Sequence, residues 1–296
     1  LGTGLWANGP GALSPHTPKL WKRGTSPQPA QPDVFLADLS ASGVSAVVNI
    51  SRSPAYDNQP SFVPDSRAIL FSSNRDGQND IYRFDIADGR LTRLTSTPTS
   101  EYSPTPTPDG RGFSVIQVEA DNAQRLWRFD LDGANPRVIL ADVKPVGYHA
   151  WIDATRLALF VLGSPATLQL ADTTTGRADV VATGIGRSVL FRQASREVTF
   201  ISQPAGGRRL LRSVNPDTRA VADLVEPLEE SQDLAWLASG TALMARGSTI
   251  YRWQPGGRAA WTPFADLSSF PLANITRMAA APDGRRLALV AEPRPE

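Results

Sequence analysis

A turn written three times, blocks of four strand-like runs between its copies, and two half-blocks at opposite ends of the chain predict an all-β fold. That fold is a six-bladed β-propeller with four-stranded antiparallel blades. The turn is Pro-Asp-Gly or a near copy: "SFVPDSRAILFSS" around Asp65, "TPTPDGRGFSVIQ" around Asp109 and "AAAPDGRRLALVA" around Asp283. Pro presets φ for a turn, Asp bonds the backbone just beyond it, and Gly takes the positive φ that L-residues avoid. Asp65, Asp109 and Asp283 are therefore turn residues, each joining the innermost strand of a blade to the second.

The blocks follow from the spacing. Asp65 and Asp109 stand 44 residues apart. The first block reads "AILFSS", the loop "NRDGQN", then "DIYRFDI", the turn "ADG" and "RLTRLT". The second reads "GFSVIQ", "EADNAQ", "RLWRFDL", "DGA" and "NPRVILA". Val, Ile, Leu, Phe and Tyr fill the runs, often in alternation, as half-buried strands require. Weaker copies begin at "HAWIDATR", "VLFRQASR" and "LAWLASGT". No stretch keeps a 3.6-residue apolar period, which excludes an α/β reading, and no linker interrupts the repeat.

The half-blocks predict how the ring closes. "MAAAPDGR-RLALVAE" supplies only the two inner runs of a blade, and "DVFLADL-SASG-VSAVVNI" (33–50) supplies the two outer ones. The N-terminal pair should complete the C-terminal blade, leaving residues 33–296 as one propeller. Residues 1–32, rich in Pro, Gly, Ser and Thr, read as an arm or linker; Trp6, Leu20 and Trp21 could dock it on a surface. The chain begins at Leu1, as a cleaved signal peptide or a shortened chain would leave it.

Composition narrows the function. The net charge of +1 offers no footprint for nucleic acid. The most apolar stretch, "LALFVLGSPATLQLA", is cut by Gly163 and Pro165, so no membrane insertion is expected. With no Cys, disulfides and thiolate metal sites are excluded. A Ser-His-Asp triad has only His16 and His149 to draw on, and neither G-x-S-x-G nor H-E-x-x-H occurs. "NRDGQND" and "DLDGAN" lack the spacing and closing Glu of a calcium loop. "TGIGRS" has no following helix to cradle a phosphate.

The segments "PSFVPDSRAILFSSNRDGQNDIYRFDIADGRLTRLT" (60–95) and "SPTPTPDGRGFSVIQ" (103–117) resemble the TolB-like, or WD40-like PD40, β-propeller repeat. The third to fifth blades lack its Pro-Asp-Gly. The resemblance implies a periplasmic or extracellular protein that binds protein or peptide partners; a monomer is expected. It also includes domains that gate peptidases, but no hydrolase domain is evident here, nor TolB's additional N-terminal α/β domain.

In a propeller, the loops between blades and those from second to third strand share one face. That face should carry Tyr56, Asp57, Asn58, Asn74, Arg75, Asp76, Glu101, Tyr102, Glu119, Asp121, Tyr148, His149 and Arg187, with Glu229, Glu230 and Asp233 in the last gap. Tyr and Arg among polar neighbours are the usual material of a recognition surface. The expected partner-binding residues are Tyr56, Asp57, Asn58, Arg75, Glu101, Tyr102, Glu119, Tyr148, His149 and Arg187. Repeat alignment sets Asn58, Tyr102, Gly147, Arg187, Gln232 and Thr276 at equivalent rim positions, a ring without a carboxylate, preceded by Asp57 and Glu101. No catalytic residue, metal ligand or cofactor is expected. The alternatives are a calcium-dependent lactonase-like or sugar-processing enzyme, with the metal in the central channel, and a sensor domain of a larger membrane protein.

Overall fold

The structure is a computed structural model that describes residues 31–257 and 260–294. The arm, with Trp6, His16, Leu20 and Trp21, lies almost wholly outside the described residues. Within them every element is a strand. β1 (Asp33–Ser40) and β2 (Gly43–Asn49) come first. Next are β3 (Asp57–Phe62), β4 (Ala68–Ser73), β5 (Asp80–Asp85) and β6 (Leu91–Arg93), which form the first complete blade. β7 (Ser100–Pro106), β8 (Gly112–Val118), β9 (Gln124–Asp130) and β10 (Arg137–Ile139) form the second. β11 (Val146–Trp151), β12 (Arg156–Val161), β13 (Thr167–Asp172) and β14 (Arg177–Thr183) form the third. β15 (Ile185–Arg192), β16 (Glu197–Ser202), β17 (Leu210–Val214) and β18 (Val221–Val225) form the fourth. β19 (Ala235–Trp236), β20 (Ala242–Arg246), β21 (Thr249–Trp253) and β22 (Thr262–Asp266) form the fifth. β23 (Leu272–Ala280) and β24 (Arg286–Pro293) open the sixth, which β1 and β2 complete in the order β2-β1-β24-β23. This is the six-bladed architecture expected, with the expected closure.

The closing ladder runs from Asp33 opposite Ala291 to Asp38 opposite Arg286. Ser51 and Asp33 lock its outer end: the Ser51 hydroxyl donates to Asp33 Oδ1 at 2.9 Å and accepts the Val34 N–H at 3.0 Å.

The core is divided by the blades. Among the described residues the buried side chains form six clusters, each between two neighbouring blades. β4, "AILFSS", shows why. Ile69 and Phe71 pack toward the sixth blade, whereas Ala68 and Leu70 pack toward the second. Both faces are covered, so all six of its residues are buried, and the run reads as continuously apolar until its final serines. Alternation survives at the periphery. Val48, Val138, Val180 and Val221 on the outermost strands are exposed.

All three Pro-Asp-Gly turns have one geometry. The N–H groups of Ser66, Gly110 and Gly284 each donate to the carbonyl three residues back at 2.9 Å. Asp65, Asp109 and Asp283 each accept the N–H two residues on, at 2.9–3.0 Å. The φ angles of Ser66, Gly110 and Gly284 are +61°, +66° and +71°. A Cβ at Gly110 would meet nothing within 4 Å, so only its backbone conformation constrains it. Gly110→Val should therefore cost about 1 kcal/mol or slightly more in urea unfolding; no loss would show that the turn relaxes without cost. Asp109 has a further task, because its Oδ2 accepts from Arg128 at 3.0 Å. Asp109→Asn keeps the turn and loses this partly exposed ion pair.

Candidate functional site

The inner strands converge at the mouth of the central channel, on the face opposite the Pro-Asp-Gly turns. Tyr56, just before β3, is held by a clamp: its N–H donates to Asn74 Oδ1 at 2.8 Å, and its carbonyl accepts the Asn74 N–H at 3.2 Å. Burial raises the Tyr56 phenol, against the pull of Arg277 and Arg187; Tyr148 and Tyr102 are also within its electrostatic reach. These residues come from five different blades. Asp233, before β19, supplies the sixth.

Their contacts bridge the channel. Arg277 on β23 donates to the Tyr148 hydroxyl on β11 at 3.3 Å, and its guanidinium carbon lies 5.1 Å from the Tyr148 ring centroid. β23 and β11 belong to opposite blades, so this contact spans the axis. Arg187 on β15 grips Asp233 Oδ2 through Nε at 2.9 Å and Nη2 at 2.5 Å, whereas Arg277 stands 3.7 Å from Asp233 Oδ1. Burial works against the Arg277 charge, but Asp233 and Tyr148 outweigh it and keep the guanidinium protonated. Tyr102 on β7 accepts from Asn79 at 2.9 Å and is also raised by burial.

The structure thus brings together Tyr56, Tyr102, Tyr148 and Arg187 of the expected set, adds Asp233, and replaces Gly147, Gln232 and Thr276 with their neighbours Tyr148, Asp233 and Arg277. The inner strands β11 and β23 carry irregularities, between Val146 and Tyr148 and between Ala273 and Arg277, which an alignment of constant spacing does not follow. Arg277 was missed although a signal existed: it is the one charged residue in "LANITRMAA".

Other expected rim residues are elsewhere. Asp57 is fully buried and accepts from Arg75 at 3.1 Å. Arg75 in turn lies 4.7 Å over the Tyr82 ring and donates to Ser73, so it supports Asp57 inside the first blade. Asn58 turns to its own strand, its Oδ1 accepting the Gln59 N–H. Glu119 is held by Arg125 and by the Trp127 indole at 2.9 Å. His149 is buried between the second and third blades, its Nε2 2.6 Å from the Ser114 hydroxyl. Glu101 is fully buried, with the Thr95 and Thr97 hydroxyls donating to its two oxygens.

Burial pushes the Glu101 carboxyl up to about 7, against the two threonine hydroxyls. The folded protein therefore binds a proton that the unfolded chain releases above the ordinary glutamate value of 4.5. Its favourable contribution is complete below 4.5 and is lost as the pH rises to about 7, a loss on the order of 3 kcal/mol. Glu101→Gln should remove this slope from urea titrations between pH 4.5 and 8. An unchanged slope would show that Glu101 ionises freely in the fold.

No group of three or more His, Cys, Asp or Glu residues among the described residues is placed to hold a metal ion. Asp57 Oδ1 is engaged by Arg75, and both oxygens of Glu101 by the two threonines.

A six-bladed propeller whose inner strands present tyrosine and arginine at the channel mouth belongs with the ring scaffolds that carry recognition or catalytic sites on one face. Residues 6–144 match the family model of the TolB β-propeller domain, PD40. A 51-residue stretch is 43% identical to the Tol-Pal system protein TolB of Bordetella pertussis, covering 17% of this chain and 12% of that protein. An uncharacterised protein of Agrobacterium fabrum is 27% identical over 110 residues, 35% of this chain and 36% of that one. The chain thus spans about a third or less of these relatives. Among solved structures, a TolB candidate from Agrobacterium tumefaciens superposes with a TM-score of 0.69 at 14% identity, covering 88% of this chain and 98% of the other. TolB from Acinetobacter baumannii gives 0.59 at 12% identity, covering 88% and 64%. An oligogalacturonate lyase in complex with manganese gives 0.55 at 16% identity, covering 86% and 78%. At these identities the likeness is one of fold, shared by binding proteins and enzymes alike.

Proposed function

We propose that this propeller binds a peptide or protein partner at the channel mouth. One observation carries the reading: all six blades contribute a side chain to one mouth, and those side chains are three tyrosines, two arginines and an aspartate. Tyrosine and arginine supply large contact area with polar ends, and they dominate the energetics of protein recognition. Loops held by a rigid ring need little reorganisation to receive a partner. The TolB-like repeats favour a protein partner and a place outside the cytoplasm, and the chain acts there as a single copy. Among the described residues no helix is long and apolar enough to cross a membrane. The lactonase-like alternative has no metal donor set there to support it.

The test is capture of random-sequence peptides displayed on phage by the immobilised protein. Clones retained by the wild type should bind Tyr102→Ala and Arg187→Ala roughly tenfold more weakly. Arg67→Ala and Arg285→Ala, exposed on the turn face, should leave binding intact. No retained clone, or clones indifferent to the mouth and sensitive to the turn face, would sink the reading. Arg75 is a poor probe because its loss strands the buried Asp57 charge.

A further inference from the structure

The charges at the mouth do not balance. Arg187 and Arg277 share one carboxylate, Asp233. Arg187 takes it with two N–H groups on a single oxygen, and Arg277 stays at 3.7 Å, beyond hydrogen-bond length. The Arg277 hydrogen bond goes instead to the Tyr148 hydroxyl across the channel, at 3.3 Å. The other acids nearby are engaged elsewhere: Asp57 with Arg75, Asp80 with Arg93, and Glu101 with two threonines. Glu229 and Glu230 are exposed on the loop before Asp233. The Arg277 side chain is only 13% exposed. A guanidinium that far from water is costly unless paired with an anion in good geometry.

We propose that the place where Arg187, Arg277 and Asp233 meet Tyr148 is a receptor for one carboxylate group of the bound peptide, an inference that rests on the peptide-binding reading above. The entering group supplies the missing negative charge. It accepts from Arg277 in place of, or beside, the Tyr148 hydroxyl, in a charge-assisted bond stronger than the one it replaces. The tyrosines cover it on the sides. A cationic side chain at the same point would add to an existing excess of positive charge.

Two synthetic libraries of short random-sequence peptides separate the sources of the carboxylate. One is capped as C-terminal amides; the other has free C-termini and lacks Asp and Glu. If the receptor reads an acidic side chain, peptides retained from the first library are enriched in Asp and Glu. If it reads the chain end, the second library is retained and its amidated form is not. Either preference should fall roughly tenfold in Arg277→Gln and in the more exposed Arg187→Gln, which keeps the test usable if the first variant fails to fold. Retained peptides with no carboxylate preference overturn the receptor while leaving peptide binding in place. If neither library binds, the peptide reading fails, and thermal melting in sodium glutarate against sodium chloride at matched ionic strength decides the receptor. A rise in Tm that is absent from Arg187→Gln upholds a carboxylate site with a different carrier; no rise overturns it.

Discussion

Removal of residues 33–50 is expected to abolish the folded monomer. β1 is an interior strand of its blade, paired with β24 on one side and β2 on the other. Its loss leaves β24 with an unpaired edge, a template for association with another chain. It also empties two blade interfaces. Val34 and Ile50 leave the cluster between the sixth and first blades, and Phe35 and Ala37 leave the one between the fifth and sixth. Burial of Phe35, Val34 and Ile50 is worth about 2 kcal/mol each, and the total approaches the roughly 5–15 kcal/mol by which a whole domain is stable. Size-exclusion chromatography should show aggregates, and melting should lose its cooperativity. Addition of a peptide spanning 33–50 should restore part of both. A truncated protein that remained monomeric with an unchanged melting curve would refute closure by these strands.

The second large effect is an acid-induced loss of stability that depends on His149. Burial alone pushes this imidazole down to about 3 from an ordinary value of 6.5. Ser114 accepts from the Trp151 indole at 2.9 Å and donates to the Thr105 carbonyl at 3.2 Å, so its remaining lone pair faces His149 Nε2. That assigns the Nε2–H tautomer and leaves Nδ1 a bare acceptor. Among the described residues no carboxylate contacts the ring to stabilise a second proton. The unfolded chain therefore binds a proton below 6.5 that the fold refuses until about 3, and stability falls across that window as the pH drops. The full effect is on the order of 5 kcal/mol. Glu101 works in the opposite direction between 4.5 and about 7, so the wild-type profile hides part of each. Asp85 and Asp109, held low by hydrogen bonds from Arg83 and Thr107, add acid sensitivity beneath the ordinary carboxylate range. Urea titrations of His149→Gln against wild type isolate the histidine. The difference should shrink steadily in the variant's favour from pH 6.5 to pH 4. A constant difference would mean that water reaches the ring.

By itself, the sequence determined the ring. Pro-Asp-Gly turns, four runs per block and complementary half-blocks are local signals, each written in a few contiguous residues, and they specify blade number, strand order and closure without reference to distant contacts. It also placed Tyr56, Tyr102, Tyr148 and Arg187 together on one face, because a loop's face follows from strand direction alone. Tertiary structure decided what each residue does there. Asp57, Glu101 and His149 have the polarity of a rim but are buried, with Arg75 on Asp57 Oδ1, two threonines on Glu101 and Ser114 on His149 Nε2. Arg277 follows an irregularity in β23, between Ala273 and Arg277, that leaves no mark in composition, and Asp233 stands in the loop before β19. The bridge from Arg277 to Tyr148 joins residues 129 positions apart on opposite blades. Only closure of the ring sets that distance, since strand pairing governs neighbours within a blade and says nothing about what meets across the axis.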